Sequence, residues 1–249
     1  MSIELRDVRK AFGDRVILDG VTLEVREGET VVVIGYSGSG KSVLLKTIVG
    51  LLPPDSGRVV VDGQDVTRLA REKLFELRRR VGYVFQFAAL FDSMTVAENV
   101  AMGLRRIEGM TEPEIEARVA EALGLVELEG YGDRYPSQLS GGQRKRVGLA
   151  RAIATRPKYI LYDEPTTGLD PVTTAVIDRL ILKMKEELSV TSLVITHNME
   201  SAYRVADRIA MLYEGRIRCV ATPEAIQRVA DPVVRAFIEG RPELMEEAR

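Results

Sequence analysis

The chain has no tryptophan, one histidine and one cysteine among its 249 residues. The solitary Cys219 excludes an intrachain disulfide and suits a reducing compartment. A large excess of either charge is missing too: a net charge of -2 with a pI near 5.7 leaves no overall basic field of the kind nucleic-acid binding needs, so no nucleic-acid partner is expected. Long hydrophobic runs are absent. The longest, such as VVVIG, fall far short of the roughly 20 residues that span a bilayer, and the opening MSIELRDVRK lacks the apolar core of a signal peptide. These absences predict a cytosolic chain that serves a membrane only by docking on separate membrane subunits. No internal repeat or low-complexity tract breaks the pattern. With 45% hydrophobic and 29% charged residues, the composition is that of a globular α/β protein rather than a disordered or fibrous one. The length allows a large core, arranged as one complex domain or two intimate subdomains.

Ile3, Leu5 and Val8, then Val16, Leu18, Val21, Leu23 and Val25, alternate loosely and are broken by Gly13 and Gly20, which predicts a small antiparallel sheet. TVVVIG, residues 30–35, is instead a continuous β-branched run, the pattern of a strand buried on both faces at the centre of a parallel sheet. KYILYDEP and TSLVITHN repeat that pattern, each ending in polar residues at the sheet edge where ligands bind. From about residue 88 to 157 the chain reads as an inserted helical subdomain, with helical spacing over Pro113 to Val126. After Thr222 a charged helical tail, residues 223–249, is expected to wrap a surface, with Pro223, Pro232 and Pro242 as breakers.

GYSGSGKS fits G-x-x-x-x-G-K-[ST] directly after a predicted strand and before the apolar helix VLLKTIVGLL. Gly35, Tyr36, Ser37, Gly38, Ser39 and Gly40 would turn backbone N–H groups inward around phosphate oxygens. The following helix adds its positive end, Lys41 supplies a cation and Ser42 a ligand for Mg²⁺. YILYDEP ends an apolar strand in two adjacent acids, which point to opposite sides while the strand stays regular. Asp163 is assigned to Mg²⁺ through water and Glu164 to the attacking water as general base. His197 ends the run SLVIT at the ligand-bearing edge, where it would contact the γ-phosphate and help orient the water. Gln86, after VGYVF, is placed to touch Mg²⁺ or water through its amide oxygen. For Phe12, on a loop after the first strands, the pattern leaves open a core aromatic and a ring that stacks on adenine.

LSGGQ reads as the start of a second helix with bare N–H groups, Ser140 as its N-cap. Arg144, Lys145 and Arg146 follow in the first turns, where the helix dipole favours acids, a conflict that a nearby polyanion would relieve. Two phosphate cradles share only one set of Lys41, Asp163, Glu164 and His197. The economical solution is a two-fold homodimer in which the second cradle caps a nucleotide held by the other copy.

Phosphate loop, Gln86, LSGGQ, YILYDE, TGLD (residues 168–170 in its last three) and His197, in that order, resemble the ATP-binding subunit of ABC transporters over residues 1 to about 222. The resemblance implies an α/β fold with a P-loop NTPase (RecA-like) core, a small antiparallel β subdomain and the inserted helical subdomain. It implies Phe12 as the adenine-stacking aromatic, although the family usually has tyrosine there. It implies Ser140, Gly141, Gly142 and Gln143 as the contact to the partner copy's nucleotide, Asp170 as part of the dimer loop, and a head-to-tail nucleotide sandwich. QFAALFDSMTVAENV, SGGQRKRVGLARAIATRPKYILYDEPTTGLDPVT and DPVVRAFIEG further resemble the ATPase of Mla-type phospholipid transporters. That closer resemblance implies an integral membrane permease, an MCE-domain lipid-binding partner, a place on the cytoplasmic face of the inner membrane and lipid movement between the membranes of a diderm bacterium. An importer of amino acids or other small solutes is the competing reading. A non-transport ABC ATPase acting on DNA or ribosomes and a P-loop kinase are the others.

Overall fold

The computed structural model describes residues 2–246. In chain order the elements are β1 (Ile3–Phe12), β2 (Arg15–Val25), β3 (Thr30–Ile34), α1 (Lys41–Ile48), β4 (Ser56–Val61), β5 (Gln64–Asp65), α2 (Arg71–Arg79), β6 (Val81–Val84), α3 (Val96–Ala101), α4 (Glu112–Leu125), α5 (Gly141–Ile153) and β7 (Tyr159–Asp163). They continue with α6 (Pro171–Leu188), β8 (Thr191–Ile195), α7 (Met199–Val205), β9 (Arg208–Tyr213), β10 (Arg216–Ala221), α8 (Pro223–Ile226), α9 (Pro232–Glu239) and α10 (Glu243–Glu246). Two compact units result, one from the chain up to Phe75 together with the chain from Thr191 onward, the other from Glu76–Val190.

In the first unit β1 pairs antiparallel with β2 and with β4, so Ile3 faces Val25 on one side and Val61 on the other. The alternation that predicts this sheet buries Ile3, Leu5 and Val8. β4 was not legible because its SGRVVV mixes turn and strand residues. A second sheet in this unit runs β10-β9-β3-β8, with β3 parallel to both neighbours and β10 antiparallel at the edge. Every residue of β3 is buried, as a strand covered on both faces requires. Leu44, Leu45 and Ile48 give α1 its buried face.

The tail departs from expectation. Pro223 and Pro232 do not break helices but start them, each at the first position after a capping residue, Thr222 and Asp231. There the missing N–H is no loss and the fixed φ already suits a helix. Nor does the tail merely wrap a surface, since Ile226, Val233, Val234 and Ala236 are buried. Phe12 ends β1 rather than lying on a loop, paired with Arg15 across the hairpin.

In the second unit β6 and β7 run parallel, from Val81 opposite Tyr159 to Val84 opposite Tyr162. Helix α5 lies close against β6: a Cβ on Gly82 would stand 2.6 Å from the Ala152 carbonyl oxygen. Ile115, Val119, Ala122 and Leu123 form the buried face of α4, and Val147, Leu149, Ala150 and Ile153 that of α5. Caps fix where these helices begin. Thr95 and Glu98 form a reciprocal capping box for α3, and Asp170 caps α6 by accepting from the Val172 and Thr173 N–H groups.

Candidate nucleotide site

β3 delivers the chain into the loop of residues 35–42, and two glycines there are dictated by their neighbours. Gly35 has φ 153°, and a Cβ on it would lie 2.3 Å from the Leu212 carbonyl oxygen of β9. Gly40 has φ 101°, and its Cβ would lie 2.9 Å from Ile17 Cγ2 of β2. Lys41 is buried, and its Nζ donates to the carbonyls of Gly35 (2.7 Å) and Tyr36 (3.0 Å), so the ammonium closes over the loop that precedes it. Ser42 follows in the first turn of α1, which begins without a side-chain cap. Ser37 and Gly38 are exposed, while the Ser39 hydroxyl is buried without a hydrogen-bond partner. A cleft of about 360 Å³ opens on this loop, lined also by Tyr213 and Glu214. Tyr36 is half-buried, and that burial pushes its phenol pKa up. In the same unit His197 is exposed just beyond β8, immediately before Asn198, the cap of α7. Phe12 is 49% exposed with the Lys10 ammonium 5.6 Å from its ring centroid, which rules out the core-aromatic alternative.

The second unit holds the acids. Asp163 is the last residue of β7, buried, and its Oδ2 accepts from the Tyr83 hydroxyl at 3.1 Å. Burial, then the Asp163 charge, raises the Tyr83 phenol pKa, so the hydroxyl stays a donor to that carboxylate. Glu164 leaves the strand at once, with φ 50° in the left-handed region. Holding a non-glycine residue there costs about 1–3 kcal/mol and persists only where the surroundings enforce it. Thr167 contributes, donating its N–H to the Glu164 carbonyl and its hydroxyl to Glu164 Oε2, both at 3.3 Å. Gln86 lies just beyond β6. Ala88 and Ala89 follow with φ 59° and 47°, and Arg151 of α5 donates to both of their carbonyls at 2.6 Å. Sequence reading missed Tyr83 and Arg151. Tyr83 gains its role from strand pairing, and Arg151 from the packing of α5 on the segment after Gln86, neither of which spacing along the chain specifies.

Ser140 caps α5, accepting from the Gln143 N–H at 3.2 Å, and its own N–H donates to Gln143 Oε1 at 2.9 Å. The S-x-x-Q spacing is thus a capping box. The hydroxyl proton of Ser140 is not consumed by that acceptor role. Gly141 and Gly142 open the helix. A Cβ on Gly142 would stand 2.5 Å from Thr173 Cγ2 of α6, whose own hydroxyl donates to the capping carboxylate of Asp170. The Thr173 hydroxyl in turn holds the Asp170 carboxyl below its ordinary pKa. The cations that follow need no polyanion. Arg144 donates to the Leu139 carbonyl at 2.7 Å, Arg146 to that of Glu127 at 2.9 Å, and Lys145 to that of Gln86. Main-chain oxygens relieve the conflict with the helix dipole.

Among the described residues no group of three or more His, Cys, Asp or Glu side chains could hold a metal. In the first unit Ser42 offers a hydroxyl oxygen, and in the second Gln86 and Asp163 offer amide and carboxylate oxygens; each is a hard donor of the kind Mg²⁺ takes, an ion that binds through one or two carboxylates plus substrate phosphates rather than an all-protein cage. A larger cleft of about 440 Å³, lined by apolar residues of α3 and α4 such as Ala101, Ile115 and Val119 together with charged ones such as Glu98, Glu112 and Glu116, contains none of these motifs.

A buried parallel strand that ends in a glycine cradle, followed by a helix and accompanied by an antiparallel sheet, defines an α/β protein of the P-loop NTPase fold. Residues 18–167 match the ABC transporter family. The chain belongs to that family, and it is an ATPase. It is 47% identical over 243 residues to the sulfate/thiosulfate import ATP-binding protein CysA of Caulobacter vibrioides, covering 96% of this chain and 69% of that protein. It is 42% identical over 241 residues to the probable ribonucleotide transport ATP-binding protein mkl of Mycobacterium bovis, covering 97% and 67%. Among solved structures it resembles the dimeric ATP-binding cassette MJ0796 in a post-hydrolysis state bound to ADP and Pi, with TM-score 0.81, 37% identity, and 89% of this chain and 98% of that one covered. It also resembles cbiO1 from Clostridium perfringens, part of the cbiONQ transporter complex, with TM-score 0.84, 29% identity, and 99% and 97% covered. No helix among the described residues is long and apolar enough to cross a membrane.

Proposed function

We propose that the chain is the ATP-hydrolysing subunit of a transporter that moves phospholipid between the membranes of a diderm bacterium. In this reading residues 1–222 form the ATPase domain, with a helical subdomain inserted at about 88–157, and residues 223–249 form the tail. Two copies act as a homodimer on the cytoplasmic face of the inner membrane, bound to integral membrane permease subunits and linked to an MCE-domain lipid-binding protein.

The loop of residues 35–42 holds the phosphates of ATP, Lys41 exchanges its two carbonyl contacts for phosphate oxygens, and Phe12 stacks on the adenine. Glu164 takes a proton from water as that water attacks the γ-phosphorus, the bond to the β-γ bridging oxygen breaks, and ADP leaves with phosphate. His197 contacts the γ-phosphate and orients the water. Ser42, Gln86 and Asp163 would hold Mg²⁺, which neutralises charge on the phosphates when bound. Ser140, with the N–H groups at the start of α5, contacts the nucleotide of the other copy, and Asp170 lies in the dimer loop. The observation that carries the ATPase chemistry is the glycine cradle with Lys41 folded over it. ATP binding closes the dimer and hydrolysis reopens it.

The lipid reading rests on the segments QFAALFDSMTVAENV, SGGQRKRVGLARAIATRPKYILYDEPTTGLDPVT and DPVVRAFIEG, the last of which folds as the capped helix α9. A second reading, an importer of a small solute, is favoured by the names of the sulfate/thiosulfate relatives. Co-purification of the chain with its permease, followed by mass spectrometry of the bound molecule, separates them. Co-purified phospholipid, with ATPase activity stimulated by lipid, supports the first reading. A sulfate-like anion or other small solute in its place overturns it. Stimulation by nucleic acid would overturn both.

A further inference from the structure

Lys145 stands where two effects oppose a cation. It lies in the first turns of α5, at the positive end of the helix dipole, and it is only 8% exposed. A buried ammonium must find acceptors or lose its proton. Burial does push the Lys145 pKa down, and the negative charge of Glu164 works against that shift. Its acceptors are main-chain oxygens of two functional residues. Nζ donates to the carbonyl of Gln86, and at 3.4 Å, a longer contact, to the carbonyl of Glu164.

The same face of α5 carries two further grips on the segment after Gln86. A Cβ on Gly148 would stand 3.2 Å from Ala88 Cβ, so the helix backbone itself closes on that residue. Arg151 then binds the carbonyls of Ala88 and Ala89, both in the left-handed region. Positions 145, 148 and 151 recur at helical spacing and form one surface. Of these contacts only the one made by Lys145 also reaches Glu164.

We infer that Lys145 is a positioning residue for hydrolysis, which makes the first turns of α5, the Gln86 backbone and the Glu164 backbone one mechanical piece. The segment that begins at Ser140 is thereby tied to the residue proposed as general base, so a contact made at the helix start is felt at the backbone of Glu164. Lys145 touches no reacting atom and acts through Glu164. The inference rests on the assignment of Glu164 as base.

The test is a double-mutant cycle on the full-length protein, read as single-turnover phosphate release and as MgATP affinity. K145M keeps the apolar stem and removes the ammonium. It is expected to lower the rate about 10- to 100-fold, while MgATP affinity changes less than about threefold. In the E164Q background K145M should cost almost nothing further, because both changes act at one residue. Independent, multiplicative losses would overturn the inference, as would a K145M variant that hydrolyses normally or fails only in affinity. Should K145M not fold, K145L, which likewise removes the ammonium and every donor, carries the same cycle, and failure of both to fold makes the lysine a strut and overturns the inference. If E164Q alone turned over normally, the base assignment itself would fall, an outcome distinct from additivity.

Discussion

Phe237 meets Tyr36 edge-on, with ring centroids 5.0 Å apart and planes at 81°. The first residue belongs to α9 in the tail and the second to the phosphate loop, and Tyr213 at the end of β9 stands edge-on to Tyr36 from 6.1 Å. Tail and loop are therefore packed against each other within one unit, so a change in the tail is expected to bias the loop.

F237A should weaken MgATP binding about 2- to 10-fold, since an edge-to-face pair contributes about 0.5–1.5 kcal/mol beyond its buried area and every 1.4 kcal/mol is tenfold in affinity. The maximal hydrolysis rate at saturating ATP should change little. Titration with a fluorescent ATP analogue checks this. Unchanged affinity in a folded variant would mean that the tail packs without biasing the loop.

E164Q should bind MgATP with near-normal affinity and release phosphate about 10²- to 10⁴-fold more slowly, the range expected when a general base is removed. The carboxamide nearly matches the carboxylate in size, so the left-handed turn at Glu164 and its Thr167 contacts are expected to persist. Rapid-quench assays of phosphate release decide the point. A rate close to that of the parent protein would move the base role elsewhere.

G142A would place a Cβ 2.5 Å from Thr173 Cγ2, an overlap that overpacks the junction of α5 and α6. Overpacking of this kind costs about 1–3 kcal/mol, against which the better helix propensity of alanine returns at most about 1 kcal/mol. The melting temperature should fall by several degrees, and T173S, which deletes that methyl and keeps the hydroxyl on Asp170, should restore most of the loss in the double variant. Differential scanning calorimetry on the three variants tests the relief. A double variant as unstable as G142A would show that the methyl is not the obstacle.

The parts of the fold visible in the sequence were those whose signal is local. The run TVVVI reads as a fully buried strand because both its faces are apolar, and GYSGSGKS carries its glycines, lysine and serine within one turn. Ser140 was legible as a cap for the same reason. The role of Tyr83 toward Asp163 was not, because it depends on the register of β6 beside β7, which no spacing along the chain specifies. Lys145 and Arg151 were hidden differently. A cation in a helical stretch normally points to water, and only the packing of α5 on the segment after Gln86 turns these two inward onto carbonyls. Pro223 and Pro232 misled because proline both ends helices and starts them, and the deciding signal was the Thr or Asp immediately before each.

Acid should destabilise the first unit in a way that Arg208 controls. Burial pushes the Glu29 carboxyl up, but the Arg208 guanidinium, at 2.8 Å from Oε2, and the Arg26 N–H together outweigh it, so the group titrates below its ordinary value. A carboxylate whose pKa is lowered by folding contributes stability that is fully present above its unfolded pKa of about 4.3 and is lost as pH falls through the folded value. R208M removes the partner that lowers it and leaves the burial that raises it. The variant should melt about 2 °C lower at pH 7, a modest change because the pair is partly solvated. The parent protein loses the contribution of this pair in acid while the variant has none left to lose, so the gap between their melting temperatures should close as the solution is acidified from about pH 6 to pH 3. Circular dichroism melts across that range give both curves. If they descend in parallel, the Arg208 pairing does not set the acid limit, and carboxylates elsewhere in the protein do.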